Sequence, residues 1–200
     1  MANATKSTLK GYFQRGSIPS QENFETLVDA TLAPASSSLN SGEGVQGTGD
    51  TFKLDVSEIN NEKILTCIVD LRGLSSSATT DTVIGLSGSS ESHLFQWDTS
   101  SFGLPYKVEL ACAETPAGGQ KDFDVKFSGS VQATYAAVTQ SANRIITSNT
   151  DLDVGEHLSS ANSTMLGIPS HDDFVFLTNG GSGTTGIYTA GKLIIKFYGI

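Results

Sequence analysis

Few side chains in this 200-residue chain could perform acid–base chemistry near neutral pH. The three histidines, His93, His157 and His171, lie in unlike surroundings: one opens a strand pattern, one follows an acidic turn and one precedes two aspartates. Imidazole is the usual general base at neutral pH, but none of the three belongs to a triad motif. The stretches around Ser87 and Ser182 both miss the GxSxG pattern of a nucleophile elbow. These residues predict that the chain is not a serine hydrolase.

Two motifs resemble cofactor or metal sites in part. Residues 151–156 read Asp-Leu-Asp-Val-Gly-Glu, similar to a fragment of a calcium loop, but the twelve-residue spacing with its final bidentate glutamate is missing. Asp residues also favour turns for purely backbone reasons. Gly42, Gly44 and Gly47 form GxGxxG, but a strand follows this motif, where a dinucleotide site needs a helix. The sequence predicts no cofactor and no bound metal.

The two cysteines, Cys67 and Cys112, lie within apolar strand patterns. The chain has no CxxC pair, and no histidine lies at ligand spacing from either residue. A cytosolic environment keeps thiols reduced, so buried free thiols are the expected state. The sequence leaves a Cys67–Cys112 bridge open as the alternative.

Charge excludes several classes of partner. The chain carries 12 basic and 21 acidic side chains, a net charge of −9. Three of each fall within residues 1–34, which leaves nine basic and eighteen acidic side chains for residues 35–200. Binding to a phosphate backbone depends on Lys and Arg, so we expect no nucleic-acid partner. No window approaches the roughly 18 apolar residues of a membrane span, and the start of the chain has no apolar leader. We therefore expect neither membrane insertion nor secretion.

The elements that would position these side chains are mostly strands. From residue 51 to 200, period-two alternation recurs between Gly, Ser, Thr, Asn and Asp clusters. The segment 105–114, for example, alternates Tyr, Val, Leu and Cys with Lys, Glu and Ala. Many antiparallel strands without interleaved helices predict a β-sandwich, with a jelly-roll-like topology. The predicted strands lie near 51–57, 63–71, 82–87, 93–98, 105–114, 122–128, 131–138, 144–148, 173–178 and 186–198; residues 151–170 are ambiguous.

Residues 1–34 predict a short helical hairpin arm. Helical spacing places Leu9, Tyr12 and Phe13 on one face of a first helix, and Phe24, Leu27 and Val28 on one face of a second. Gly16 and Pro19 separate the two helices. Helices shorter than about 12–15 residues are marginal in water, so these apolar faces need a partner. Residues 35–50, rich in Ser and Gly, form a linker between this arm and the β-sandwich body at 51–200.

The arm pattern, Tyr12-Phe13 with Gly16, Pro19, Gln21, Phe24 and Leu27-Val28-Asp29, resembles the N-terminal segment of fibre and decoration proteins on phage virions. Residues 104–119 and 190–199 are similar to stretches in structural proteins of marine tailed phages. The resemblance implies that the arm attaches to a virion or forms a trimer. It also implies localisation to the virion, after assembly in the host cytoplasm.

Together these features predict a non-enzymatic virion structural protein. We expect a homotrimeric capsid-decorating protein of the cement or head-fibre type, bound to the major capsid protein or another virion protein. The expected contact residues are Leu9, Tyr12, Phe13, Phe24, Leu27 and Val28. One alternative is a tail-fibre or adaptor protein whose sandwich binds host surface glycans, which requires aromatic rings such as Trp97, Phe102 and Tyr188 to be exposed and clustered. A third reading, a small β-sandwich glycan lyase or hydrolase, requires convergent carboxylates.

Overall fold

The computed structural model describes Val45 and residues 53–59, 61–138, 143–161, 167–181 and 183–200. All of them belong to one compact unit, Ser37–Ile200. The predicted helical arm, with its six contact residues, and nearly all of the predicted linker lie outside the described residues.

The described chain is mainly antiparallel β structure, as the alternation predicts. One short helix, α1, interrupts the strands. Two predicted strands, 82–87 and 131–138, are wrong, because these segments make only isolated bridges. The ambiguous region contains a true strand, β8, and β5 runs three residues further than expected. The elements are β1 Lys53–Ile59, β2 Glu62–Asp70, β3 Ser75–Ser76, β4 Phe95–Gln96, α1 Thr99–Phe102, β5 Pro105–Ala117, β6 Phe123–Ser128, β7 Arg144–Thr147, β8 His157–Ala161, β9 Phe174–Asn179, β10 Gly186–Ile187 and β11 Ala190–Gly199.

The strands form three sheets. A five-stranded sheet has the order β1-β2-β11-β5-β8, a four-stranded sheet has the order β4-β9-β6-β7, and β10 pairs with β3. The antiparallel pairs are nested along the chain: β6 pairs with β7, β5 with β8, β4 with β9, and β2 with β11. Each outer pair encloses the inner ones, and the pairs alternate between the two large sheets. The path is that of one long hairpin folded across two layers.

One hydrophobic core is shared by the two large sheets. Strand β11 alternates buried and half-buried residues along its whole length, as a strand with one face on a core should. Its inward side chains, such as Leu193 and Ile195, join a cluster that also contains Val125 and Leu177 of the four-stranded sheet. Trp97 lies in the same cluster, with its ring centroid 5.6 Å from that of Phe197. The architecture is therefore sandwich-like.

A second, smaller core covers the other face of the four-stranded sheet. Phe174 and Phe176 of β9 alternate with inward-facing residues, so they point away from the main core. Val83 and Val138, from the two segments that were predicted as strands, pack against Phe176. The alternation of apolar and polar residues in these two segments thus results from packing of their apolar side chains on the face of the four-stranded sheet. It does not produce a strand ladder.

Candidate functional site

The helix α1 is the centre of one polar cluster. Its N-cap, Asp98, accepts hydrogen bonds from the Ser100 backbone N–H at 2.9 Å, from the Ser100 hydroxyl at 2.5 Å and from the Ser101 hydroxyl at 2.5 Å. These donors, with the Ser100 hydroxyl first, hold the pKa of Asp98 well below its usual range. Asp98 is therefore a fixed carboxylate that caps the helix.

His171 lies beside this cap. Its Nδ1 is 3.2 Å from both the backbone nitrogen and the hydroxyl of Thr99, and 3.4 Å from Asp98 Oδ1. Its Nε2 is 3.7 Å from a carboxylate oxygen of Asp172. A hydroxyl, an imidazole and a carboxylate in this order are the parts of a nucleophile–base pair. However, the backbone N–H of Thr99 already donates to Nδ1, and half of the imidazole is exposed. The geometry is that of a helix cap extended by a histidine.

A second polar cluster surrounds Glu109 on the outer face of the five-stranded sheet. Its carboxylate accepts from Lys107 Nζ at 2.5 Å and from the Tyr198 hydroxyl at 2.6 Å, while His157 Nε2 is 3.9 Å away. Lys107 also lies over the Tyr198 ring, 4.6 Å from its centroid. The Lys107 hydrogen bond lowers the pKa of Glu109, and burial together with Glu109 raises the pKa of Tyr198 to about 12. Neither group exchanges a proton near pH 7, so the cluster is a set of fixed contacts.

The remaining sequence candidates for base or metal chemistry are separated in the fold. His93 is buried against Phe174, with ring centroids 4.9 Å apart. The turn at 151–156 is closed internally, because the Asp153 backbone N–H donates to Glu156 Oε2 at 2.7 Å. Over the described residues, no group of three or more His, Cys, Asp or Glu side chains could hold a metal ion. Residues 151–156, whose sequence is similar to a fragment of a calcium loop, therefore form a turn.

Both cysteines are buried free thiols, as predicted. Cys67 of β2 pairs across to Ile195 of β11, whereas Cys112 of β5 pairs across to Leu193. One whole strand lies between them, which corresponds to about 10 Å of sheet, and a disulfide requires Cα atoms within about 7 Å. The bridge that the sequence left open is excluded by this topology. Burial raises the pKa of Cys67 far above its usual range, so this thiol is unreactive in the fold.

The aromatic rings on which the glycan-binding alternative depends are inside the protein. Trp97, Phe102 and Tyr188 are 1%, 2% and 1% exposed. The indole N–H of Trp97 donates to the Gly103 carbonyl, and the Tyr188 hydroxyl donates to the Gln120 carbonyl at 2.6 Å. The exposed aromatic cluster that this alternative requires is therefore not present at these positions, because the rings fill the space between the sheets.

The structure reveals an exposed apolar row that sequence reasoning missed. Ile59, Leu104 and Ile200 are 57%, 58% and 75% exposed. The backbones of Leu104 and Ile200 hydrogen-bond to each other, and the register of β1, β2 and β11 places Ile59 at the same end of the sheet. The three residues come from segments far apart in the chain, so only the strand register shows that they lie at the same end of the sheet.

In the part of the chain that the structure describes, no helix is long and apolar enough to cross a membrane. Comparisons with protein-family models, with curated proteins and with solved structures found no match for this chain.

Proposed function

We propose that this chain is a non-enzymatic virion structural protein: a homotrimeric capsid-decorating protein of the cement or head-fibre type. In this proposal the N-terminal arm anchors the protein to the major capsid protein or another virion protein. The body presents the β-sandwich on the particle surface. The observation that carries the proposal is the nested strand order of the body, taken together with the arm pattern that resembles virion attachment segments.

The strand order supports a jelly-roll topology. Eight strands, β2, β4, β5, β6, β7, β8, β9 and β11, form two four-stranded layers whose antiparallel pairs are nested. A jelly roll consists of eight strands in two sheets built from two Greek keys, and the fold is common in viral capsid proteins. Strand β1 adds to one layer beyond β2. Because one fold hosts many functions, this topology supports the proposal only together with the arm.

The polar clusters of the body support a structural role. The Ser100 and Ser101 hydroxyls donate to the N-cap carboxylate of Asp98. The Glu109 carboxylate accepts from Lys107 and Tyr198. Fixed, paired groups of this kind rigidify a surface and leave little proton-transfer capacity. A protein that acts by binding energy alone needs nothing more.

Homotrimer formation is tested separately from attachment. Three copies around a closed axis use two different surface patches in each contact. Ile59, Leu104 and Ile200 are exposed apolar side chains at one end of the five-stranded sheet, and the predicted arm would supply a second apolar surface. Light scattering of the full chain and of a variant lacking residues 1–34 measures whether the arm or the body holds the copies together.

Attachment is tested with capsids assembled without this protein. Full-length chain should co-sediment with such capsids, and the double variant Phe24→Ala, Leu27→Ala should bind at least a hundredfold more weakly. Buried apolar anchors of this size contribute several kcal/mol to an interface. The matched control is Glu25→Gln, which changes the predicted polar face of the same helix and should bind normally. Equal binding by the double variant would contradict anchoring through the arm.

A further inference from the structure

Four charged side chains meet beneath the loops that cover the outer face of the four-stranded sheet. Asp81 comes from the loop after β3, Asp124 and Lys126 come from one face of β6, and Arg144 begins β7. We call them the buried charge cluster. Lys126 is 0% exposed, and its Nζ contacts the Asp81 carboxylate and lies 2.8 Å from the Val138 carbonyl oxygen. Lysine is almost never fully buried in folded proteins unless it is paired, and here Asp81 is the ion-pair partner.

The backbone holds the two partners of Lys126 in place. The Asp81 N–H donates to the Asn179 carbonyl at 2.9 Å, and the Asp81 carbonyl accepts from the Val138 N–H at 2.8 Å. Asp81 also has a φ of 64°, a left-handed conformation that is uncommon for residues other than glycine, and these two backbone hydrogen bonds hold it there. The ammonium and the carboxyl group are therefore pre-oriented, which is the condition for a high effective concentration of the two reactants.

The Lys126–Asp81 pair has apolar side chains on one side and the Arg144 guanidinium on the other. Val83, Val138 and Phe176 form the small core here. Arg144 places one terminal nitrogen 3.4 Å from Asp81 Oδ1 and its Nε 2.7 Å from Asp124 Oδ2. Asp124 is fully buried, and this burial raises its pKa in spite of the two cations nearby. Buried ion pairs carry a large desolvation cost, so a neutral product is favoured at such a site.

We propose that Lys126 and Asp81 condense spontaneously to an intramolecular isopeptide bond. One proton first passes from the ammonium to the carboxylate, which leaves a neutral amine beside a neutral carboxylic acid. Nζ then attacks Cγ of Asp81, and the Cγ–O bond to the hydroxyl breaks. The hydroxyl leaves with one proton from the nitrogen as water, and an amide remains. The reaction consumes no oxidant or other reactant, and the 21% exposure of the Asp81 side chain gives the water a route out.

The neighbouring groups have distinct parts in this reaction. Arg144 lies 3.4 Å from Asp81 Oδ1, the oxygen that Lys126 Nζ contacts and that leaves as the hydroxyl, so it stabilises negative charge on the departing oxygen. The Val138 carbonyl accepts one N–H of Lys126 and thereby directs the nitrogen lone pair. Asp124 is a positioning residue, because it touches Arg144 rather than the reacting atoms. The bond would tie a surface loop to a central strand 45 residues later.

The first test is tryptic peptide mapping of the purified full-length protein. An amide at Lys126 blocks trypsin there, so the expected product joins residues 73–107 to residues 122–144. Its mass should be lower than the sum of the two peptides by one water, about 18 Da. The folded protein is incubated for days before it is denatured and digested. Quantitative recovery of the free peptide 122–126 in that digest would overturn the proposal and leave a buried ion pair only.

The variant Asp81→Asn assigns the bond to its residue. The leaving group becomes ammonia, so the linked product should be about 17 Da lighter than its two peptides. A loss of water in this variant would place the bond elsewhere and overturn the assignment. The matched control is Lys107→Met, which removes another Lys–carboxylate pair, at 2.5 Å, from the solvent-facing side of the other sheet. That variant lacks the trypsin site at residue 107, so its fully retained link should join residues 73–121 to residues 122–144, again with the loss of one water.

Discussion

Replacing Arg144 with methionine tests the energetics of the buried charge cluster directly. Arg144 Nε lies 2.7 Å from Asp124 Oδ2, and the Asp124 side chain is 0% exposed. Methionine keeps much of the length and removes the charge, so a buried carboxylate loses its closest cation. Breaking a buried pair in this way costs about 3–5 kcal/mol of unfolding free energy. The matched control is Lys121→Met, whose Asp153 partner is 3.8 Å away and mostly exposed. An exposed pair contributes about 0–1 kcal/mol, so the control should change little.

The loss of unfolding free energy in Arg144→Met should depend on pH and on the presence of Asp124. Burial places the pKa of folded Asp124 above its ordinary value of 3.8. A carboxyl group with a raised folded pKa binds its proton more tightly in the native state, so its ionisation reduces stability as pH rises. Removing Arg144 raises that pKa further. The difference between wild type and Arg144→Met should therefore shrink as pH falls towards 4, and adding Asp124→Asn should restore at least half of the loss at pH 7.

Equilibrium unfolding in urea measures these differences, with the fluorescence of Trp97 as the signal. Trp97 is the single tryptophan of the chain, and it is buried in the main core. A loss of 3–5 kcal/mol corresponds to a melting temperature lower by about 6–20 °C in a protein of this size. A loss below about 1 kcal/mol at pH 7, or no recovery when Asp124→Asn is added, would refute the claim that Arg144 compensates a buried charge.

Three further outcomes follow from the structure. Cys67 and Cys112 should resist a thiol reagent in the native protein because both are buried. Both should react fully in denaturant without a reducing agent, because β11 separates them and they form no disulfide. Recovery of fewer than two thiols in denaturant would contradict this. Asp98→Ala should cost about 1 kcal/mol at pH 7, as loss of an N-cap does. Because the pKa of Asp98 is lowered, this contribution should disappear as pH falls below the ordinary aspartate range, and a pH-independent difference in urea titrations would argue against an ionised cap. Tyr188→Phe should cost about 1–3 kcal/mol, since it leaves the buried Gln120 carbonyl without its 2.6 Å donor, and thermal unfolding with no shift would show that another donor replaces it.

Much of the body could be predicted from local patterns. Alternation in 105–114 and 190–199 is a property of neighbouring residues, and burial of one face follows once any core forms. The same reasoning failed for 82–87 and 131–138, where alternation reflects packing of loop segments on β9. Local pattern also could not decide whether Trp97 and Tyr188 are exposed, since an aromatic residue in a strand gives the same pattern whether its face is covered or exposed. The arm residues Phe24 and Leu27 lie outside the described residues, so their role stays a prediction.

The sequence by itself determined that this is a mainly antiparallel β protein with an acidic body, whereas the strand order was needed to exclude a bridge between the two cysteines. Only the tertiary structure decided which strands pair, because pairing depends on residues more than a hundred positions apart, as between β2 and β11. The buried charge cluster has the same origin: Asp81, Lys126 and Arg144 each read as an ordinary surface charge in the sequence. Their burial is set by which loop covers the outer face of the four-stranded sheet. Local spacing carries no information about that cover, since contacts between distant segments form only when the chain closes on itself.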